Sequence, residues 1–353
     1  FDGDCYGRNL QRLFLDLLSV LLDPGRKVAG GQPAADRLGR LMRKTDIIFI
    51  DPHPRCDDIG KKPENTRGHL PNLGLCCLAA AVEREGFRAA IIDSIALQYS
   101  IKEIVDEVRD AMPKYIGISA MTHAIGAAAV IASFLKKELP GVRIILGGVH
   151  ATAVPEETLN RYPDAFDLCV IGEGEATLAE LLRALEERRE LADIPGLAFR
   201  RGESIVTTRK RDIIVDMDSL PFPAWHLLPE LERHYRPTLI SAGKGFSNHL
   251  LTSRGCPGMC VFCDTSVNGH KVRGYSADYV LEMIEILHKK HGITDIQFND
   301  DTFVTLRRRL FEICGKLIKK ELGLTWSCDA RAIVPSANCP GRGSAMPSCW
   351  SWT

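Results

Sequence analysis

The chain has 353 residues, with 45 basic and 45 acidic side chains and 12 cysteines. That length suits two domains, and the balanced charge leaves no basic footprint for nucleic acid or an anionic membrane. Residues 10–22 are apolar, but Arg12 and Asp16 interrupt them. A membrane span needs about 20 apolar residues, so this stretch reads as an amphipathic helix and no transmembrane segment is expected. No secretory signal is recognised. The cysteine spacing is not that of a small disulfide-stapled domain, so the thiols read as metal ligands and buried groups in a reducing, cytoplasmic setting.

From residue 45 to 199 short β-branched runs alternate with helical patterns. Strands are expected at 46–50, 89–93, 115–119, 143–146 and 168–171. Helices are expected at 73–85, 101–112, 125–139 and 177–188, the last with Leu178, Leu181, Leu182 and Leu185 on one face. Strand–helix alternation at this pitch predicts a parallel sheet covered on both faces. Its ligands bind outside the carboxyl ends of the strands. Gly147-Gly148, the run Gly172-Glu173-Gly174-Glu175, and residues 119–122 all follow predicted strands there. Each alone reads as an ordinary turn, but together they suggest a shelf for a large flat ligand. No G-x-G-x-x-G follows the first strand, which argues against a dinucleotide site.

Residues 198–208 read as a hairpin around Arg201-Gly202, and the proline-punctuated stretch 220–225 as a linker. A second alternating unit then begins. It has strands at 249–252, 295–298 and 324–327, helices at 278–288 and 306–319, and a cysteine loop at 254–264. This is about the first three strands of a β/α barrel, with that loop at the carboxyl end of its first strand, the face where such barrels carry their active sites.

The loop holds the sharpest signal. Cys256, Cys260 and Cys263 form C-x3-C-x2-C, and thiolates at tight loop spacing hold iron–sulfur clusters. Three local ligands leave one iron of a 4Fe–4S cube open for a small molecule. The alternative is a structural zinc with a fourth ligand such as His270. Cys76, Cys77, Cys169 and Cys314 read as packed thiols in helices and a strand.

The run Ser253-Arg-Gly-Cys-Pro-Gly-Met-Cys-Val-Phe-Cys263 resembles the cobalamin-binding radical S-adenosylmethionine (SAM) enzymes. So do Leu146-Gly-Gly-Val-His-Ala-Thr152, Val170-Ile-Gly-Glu-Gly-Glu175 and Asn299-Asp-Asp-Thr-Phe303. The likeness covers residues 45–329. It implies a flavodoxin-like, doubly wound parallel sheet of cobalamin-binding type, followed by a partial β/α radical SAM barrel. It also implies a 4Fe–4S cluster on Cys256, Cys260 and Cys263, with SAM near Phe262, Asp300 and Asp301. For the two aspartates, helix N-capping is the competing role. Cobalamin would lie by Ser119, Thr122, Gly147, Gly148, Gly172, Glu173 and Gly174. No catalytic acid or base is assigned.

The implied reaction is reductive cleavage of SAM to a 5′-deoxyadenosyl radical, used for C-methylation of an unactivated carbon. An anaerobic oxidative cyclase and a non-catalytic cobalamin- or cluster-binding remnant are the alternatives. A small-molecule substrate and an external donor such as flavodoxin or ferredoxin are the expected partners, with no nucleic acid. Asp51-Pro52-His53 occupies the place of a cobalt-ligating Asp-x-His-x-x-Gly loop, but Cys56 stands where the glycine would be, so His53 is expected in a surface turn. His150 is a second candidate near cobalt.

The expected organisation is an N-terminal extension over 1–43, helical or disordered, a cobalamin-binding-like domain over 44–200, a linker over 201–240, a partial barrel over 241–329, and an aberrant tail over 330–353. Eight strand–helix units take about 250 residues, so a six-unit barrel needs about 190, and fewer than 100 follow Cys256. Half a barrel exposes sheet edges and apolar surface, which leads to the expectation that this chain is inactive or unstable alone.

Overall fold

The computed structural model describes residues 45–53, 69–235 and 246–330. The predicted extension over 1–43, Cys56 and the tail beyond residue 330 lie outside them. The described residues begin with β1 (Ile47–Asp51), α1 (Leu73–Arg84), β2 (Ala89–Asp93), α2 (Ser94–Leu97), α3 (Ile101–Ala111), β3 (Tyr115–Ser119) and α4 (Ile125–Glu138). β4 (Arg143–Gly147), α5 (Val149–Ala153), α6 (Pro155–Arg161), β5 (Leu168–Val170) and α7 (Gly174–Glu186) follow, and then a hairpin of β6 (Leu197–Arg201) and β7 (Ser204–Thr207).

These strands make one sheet in the order β2-β1-β3-β4-β5-β6-β7. Pairing is parallel from β2 through β5, and the order 2-1-3-4-5 is that of flavodoxin-like sheets, with the switch point between β1 and β3. The hairpin departs from a purely parallel sheet, since β6 and β7 add as antiparallel strands. The sheet therefore runs past residue 200 to Thr207.

Side-chain alternation distributes the core. Ile48, Ile50, Ile116, Ile118, Ile144 and Leu146 face α3 and α4, whereas Ile47, Phe49, Ile91, Ile145, Leu168 and Val170 face α1 and α7. Both faces are apolar because both are covered. Local signals fix the helix starts. Ser100 and Glu103 close a capping box on α3, and the Asn72 side chain accepts from Leu75 N at the start of α1.

Leu220 and Trp225 of the proline-rich stretch, with Met217 before it and Leu231 of α8 (Leu231–His234) after it, are buried against the second unit. The second unit comprises β8 (Ser247–Leu250), β9 (Ser253–Arg254), β10 (Arg273–Gly274), α9 (Ala277–His291), β11 (Asp295–Phe298), α10 (Arg307–Lys320) and β12 (Thr325–Cys328). β8, β11 and β12 are parallel, in the order β12-β11-β8, as three successive strands of a β/α barrel would be. Phe298, Phe303 and Trp326 pack together beneath them. Among the described residues no helix is long and apolar enough to cross a membrane.

Candidate functional site

A cleft of about 1130 Å³, counting its open mouth, lies between the sheet and the second unit. Its wall includes Ser119, Gly147, Gly148, Gly172, Glu173 and Gly174, at the carboxyl ends of β3, β4 and β5. Six of the seven residues read from the sequence as cobalamin contacts therefore meet at one site. Thr122 does not join them; it is exposed, and its hydroxyl pairs with His150 Nδ1 at 3.2 Å. The rest of the wall is largely apolar, from Phe49, Leu73, Leu75, Leu78, Ile145 and Leu178. A Cβ built on Gly147 or Gly172 meets nothing within 4 Å, and Gly172 also sits at φ +78°. Gly147 and Gly172 thus leave room along the shelf, which fits a broad, flat group, whereas Gly148 and Gly174 are required by close packing against Ala120 O and Leu78.

The second unit supplies the opposite wall through Leu250, Leu251, Arg254, Val267, Asn268, Tyr275 and Met283. Arg254 stands two residues before Cys256. Its Nη1 donates to Glu173 Oε1 at 3.0 Å and its Nη2 to Glu175 Oε1 at 2.5 Å. Arg273, across the β9–β10 pair from Arg254, donates from Nη1 to both oxygens of Glu173 at 2.9 Å. All four side chains are at most 8% exposed. Burial works to raise the Glu173 carboxyl, but the two guanidiniums hold it below the usual range. Burial would lower Arg254, yet the Glu175 carboxylate raises its pKa well above the ordinary value. Buried charges of this kind persist only when paired.

The cysteine loop projects beyond this base. Cys256 and Cys260 are half-buried and Cys263 is exposed. Gly258 N donates to Cys256 Sγ at 3.4 Å, and Cys263 N donates to Cys260 O at 3.1 Å. Phe262 is 89% exposed on the same loop. Three soft thiolates on one short loop suit an iron–sulfur cluster, and equally a zinc ion given a fourth ligand. His270 lies at the loop's far end, hydrogen-bonded to Thr265 Oγ1 at 3.2 Å and Cys256 O at 3.3 Å.

Asp300 and Asp301 brace this loop. Asp300 is buried, accepting from Thr252 N at 2.6 Å, Thr252 Oγ1 at 2.7 Å and Ser253 Oγ at 2.5 Å. Burial raises its pKa against those hydrogen bonds. Asp301 is exposed and accepts from Gly255 N at 2.9 Å and Asn268 Nδ2 at 3.3 Å. The N-capping alternative fails for both, because Leu306 caps α10 without any side-chain bond.

Other expectations need correction. His53 is 2% exposed rather than in a surface turn, and its backbone N donates to Ser94 Oγ at 2.9 Å. Neither His53 nor His150 lines the cleft. Cys76 is buried as expected, but the neighbouring Cys77 lines the cleft, and burial pushes its thiol up to about 12. Sequence reasoning missed a cluster at the carboxyl ends of β1 and β2. Ligand atoms of Asp51, His69 and Asp93 lie within 4.8 Å of one another, and Tyr235 donates to Asp93 Oδ2 at 2.9 Å.

Comparison with known proteins accords with this geometry. A family model described as B12 binding domain matches residues 64–182. The chain is 34% identical over 291 residues to an uncharacterized methyltransferase of Pyrococcus horikoshii, covering 82% of this chain and 61% of that protein. It is 29% identical to the anaerobic magnesium-protoporphyrin IX monomethyl ester cyclase of Synechocystis, over 81% of this chain and 55% of the cyclase. Among solved structures, the cobalamin-dependent S-adenosylmethionine radical enzyme OxsB superposes with a TM-score of 0.67 at 21% identity, over 92% of this chain and 44% of OxsB. The radical S-adenosylmethionine methyltransferase TsrM from Kitasatospora setae gives 0.60 at 17% identity, over 81% of this chain and 55% of TsrM. At such identities the structural likeness speaks for the fold.

Residues 64–182 are thereby a B12-binding domain, and the described chain has the fold of cobalamin-dependent S-adenosylmethionine radical enzymes. The family resemblance read from the motifs holds, with a B12-binding domain leading into part of a radical SAM barrel. The chain spans 61% and 55% of the length of these two curated relatives.

Proposed function

We propose that this chain forms the cofactor-holding part of a cobalamin-dependent radical SAM enzyme whose reaction is C-methylation of an unactivated carbon. One observation carries the reading. Arg254 both lines the cleft and stands two residues before the first loop cysteine, so a ligand on the glycine shelf and a metal group on the thiols would face a shared space.

In this reading Cys256, Cys260 and Cys263 would hold a 4Fe–4S cluster. Ser119, Gly147, Gly148, Gly172, Glu173 and Gly174 form the shelf for cobalamin. When bound, the cluster would supply the electron for reductive cleavage of SAM, and cobalamin would carry the methyl group. The chain's own residues orient and enclose. Asp300 fixes the turn from β8 into the loop through Thr252 and Ser253, and Asp301 ties Gly255 to Asn268. The apolar wall of Phe49, Leu75, Leu78 and Leu178 excludes water from the shelf. Exposed Phe262 and the carboxylate of Asp301 are within the loop region where SAM would lie. A small-molecule substrate and an external one-electron donor complete the reading.

Oxidative cyclisation is the second reading, favoured by the identity shared with the Synechocystis cyclase. The test is anaerobic incubation of the reconstituted protein with aquocobalamin, SAM and a strong reductant. The methylation reading expects bound cobalamin, visible by absorbance after gel filtration, and its conversion to methylcobalamin. Failure to retain cobalamin contradicts it, and 5′-deoxyadenosine formation without methylcobalamin favours the cyclase class.

A further inference from the structure

The residues at the two ends of the cysteine loop are register partners. Arg254 of β9 pairs with Arg273 of β10, and the loop runs between them. Both guanidiniums converge on one carboxylate from the other half of the protein, that of Glu173. Arg273 adds bonds to Ile214 O at 2.7 Å and Asn268 O at 2.9 Å, and Ile214 N donates back to Glu173 Oε2 at 2.8 Å. Glu173 itself is the N-cap residue of α7 and lies between the shelf glycines Gly172 and Gly174. The loop ends and the shelf are thus tied through one buried anchor.

We propose that this Glu173–Arg254–Arg273 clamp couples occupancy of the cleft to assembly of the metal group on the cysteine loop, with Arg273 as a positioning residue. The proposal rests on the functional reading above and adds a regulatory link to it. A ligand packed on the shelf fixes the 172–175 turn, and with it the carboxylate that holds both loop ends. Closing three thiols around a metal group requires those same ends to be fixed. Whichever group binds first therefore meets the ordering cost, and the second binds more tightly. The coupling is reciprocal by thermodynamic necessity. Arg273 carries it without touching the cleft, since it does not line the wall.

The experiment measures the dissociation constant of aquocobalamin for the full chain, with and without prior reconstitution by iron and sulfide, in the wild type and in Arg273→Gln. The expected wild-type result is at least about fivefold tighter binding to the cluster-loaded form. In Arg273→Gln that ratio falls to about one, while affinity of the cluster-free form stays within about twofold of wild type. Arg273→Lys, which keeps a charge beside Glu173 but loses the Nη2 bond to Asn268 O, gives an intermediate ratio. A wild-type ratio near one overturns the proposal even if Arg273→Gln does not fold, and an undiminished ratio in folded Arg273→Gln overturns it too. If the wild type binds cobalamin and iron but without coupling, only this inference fails. If it binds neither, the functional reading falls with it.

Discussion

Asp51 and Asp93 are register partners at the carboxyl ends of the neighbouring parallel strands β1 and β2, so two carboxylates meet where the sheet meets the second unit. His69 Nε2 lies 3.0 Å from both oxygens of Asp93, and its ring stacks on Tyr235. Burial, and then the Asp93 charge, raise Asp51 to about 7. Burial works to lower His69, but the hydrogen bond and charge of Asp93 raise it overall.

Both shifts have the same sign for stability. An Asp titrating near 7 when folded and near 3.9 when unfolded binds more proton in the native state between those values. Stability from this group is present at low pH and lost as pH rises from about 4 to 7. The raised His69 contribution is likewise present below its unfolded pKa and lost as pH rises through its native value. Asp51→Asn should therefore gain stability relative to wild type on going from pH 5 to pH 8. Urea midpoints at the two pH values check this; parallel shifts would contradict it.

Arg254→Met removes the partner of Glu175 and one of the two partners of Glu173. Leaving a buried carboxylate uncompensated costs about 3–5 kcal/mol. The variant should unfold at markedly lower urea, and Glu175→Gln combined with it should recover part of the loss. No recovery in the double variant would contradict the pairing.

Asp300→Ala strips an acceptor from Thr252 N, Thr252 Oγ1 and Ser253 Oγ in a buried site. A buried donor left unsatisfied costs about 1–3 kcal/mol, so this variant should lose clearly more stability than Asp301→Ala, whose carboxylate is exposed. Equal denaturation curves for the two would contradict a bracing role for Asp300.

Gly117 forms part of the cleft wall on β3, and a Cβ there would stand 2.7 Å from the Phe49 ring. Gly117→Ala should destabilise the sheet by about 1–3 kcal/mol through overpacking, and adding Phe49→Leu should restore part of it. Thermal melts of the single and double variants read both effects.

Much of this architecture was legible because both sheet faces are covered. Runs such as Ile47–Asp51 and Tyr115–Ser119 are buried over their first four residues and turn polar only at the carboxyl end, and the parallel order follows from the helices between them. The helix α7 starts three residues earlier than the predicted 177, because Gly174 and Glu175 read as loop while tertiary packing makes them its first turn. The glycine turns at the sheet edge and the cysteine loop were legible because each lies in a short local motif. The clamp could not. Glu173 and Glu175 meet Arg254 and Arg273 across separations of 79 to 100 residues, and no periodicity records such a pairing. His53 was misread for a similar reason, since its backbone N pairs with Ser94, 41 residues away.

The central claim is that the three loop cysteines hold a 4Fe–4S cluster with an open iron, and electron paramagnetic resonance of the anaerobically reconstituted, reduced protein with and without SAM tests it most directly. The account predicts about four irons per chain, a cluster signal that changes shape when SAM is added, and loss of both in Cys260→Ala. A chain that instead retains zinc, or a cluster signal indifferent to SAM, would contradict it.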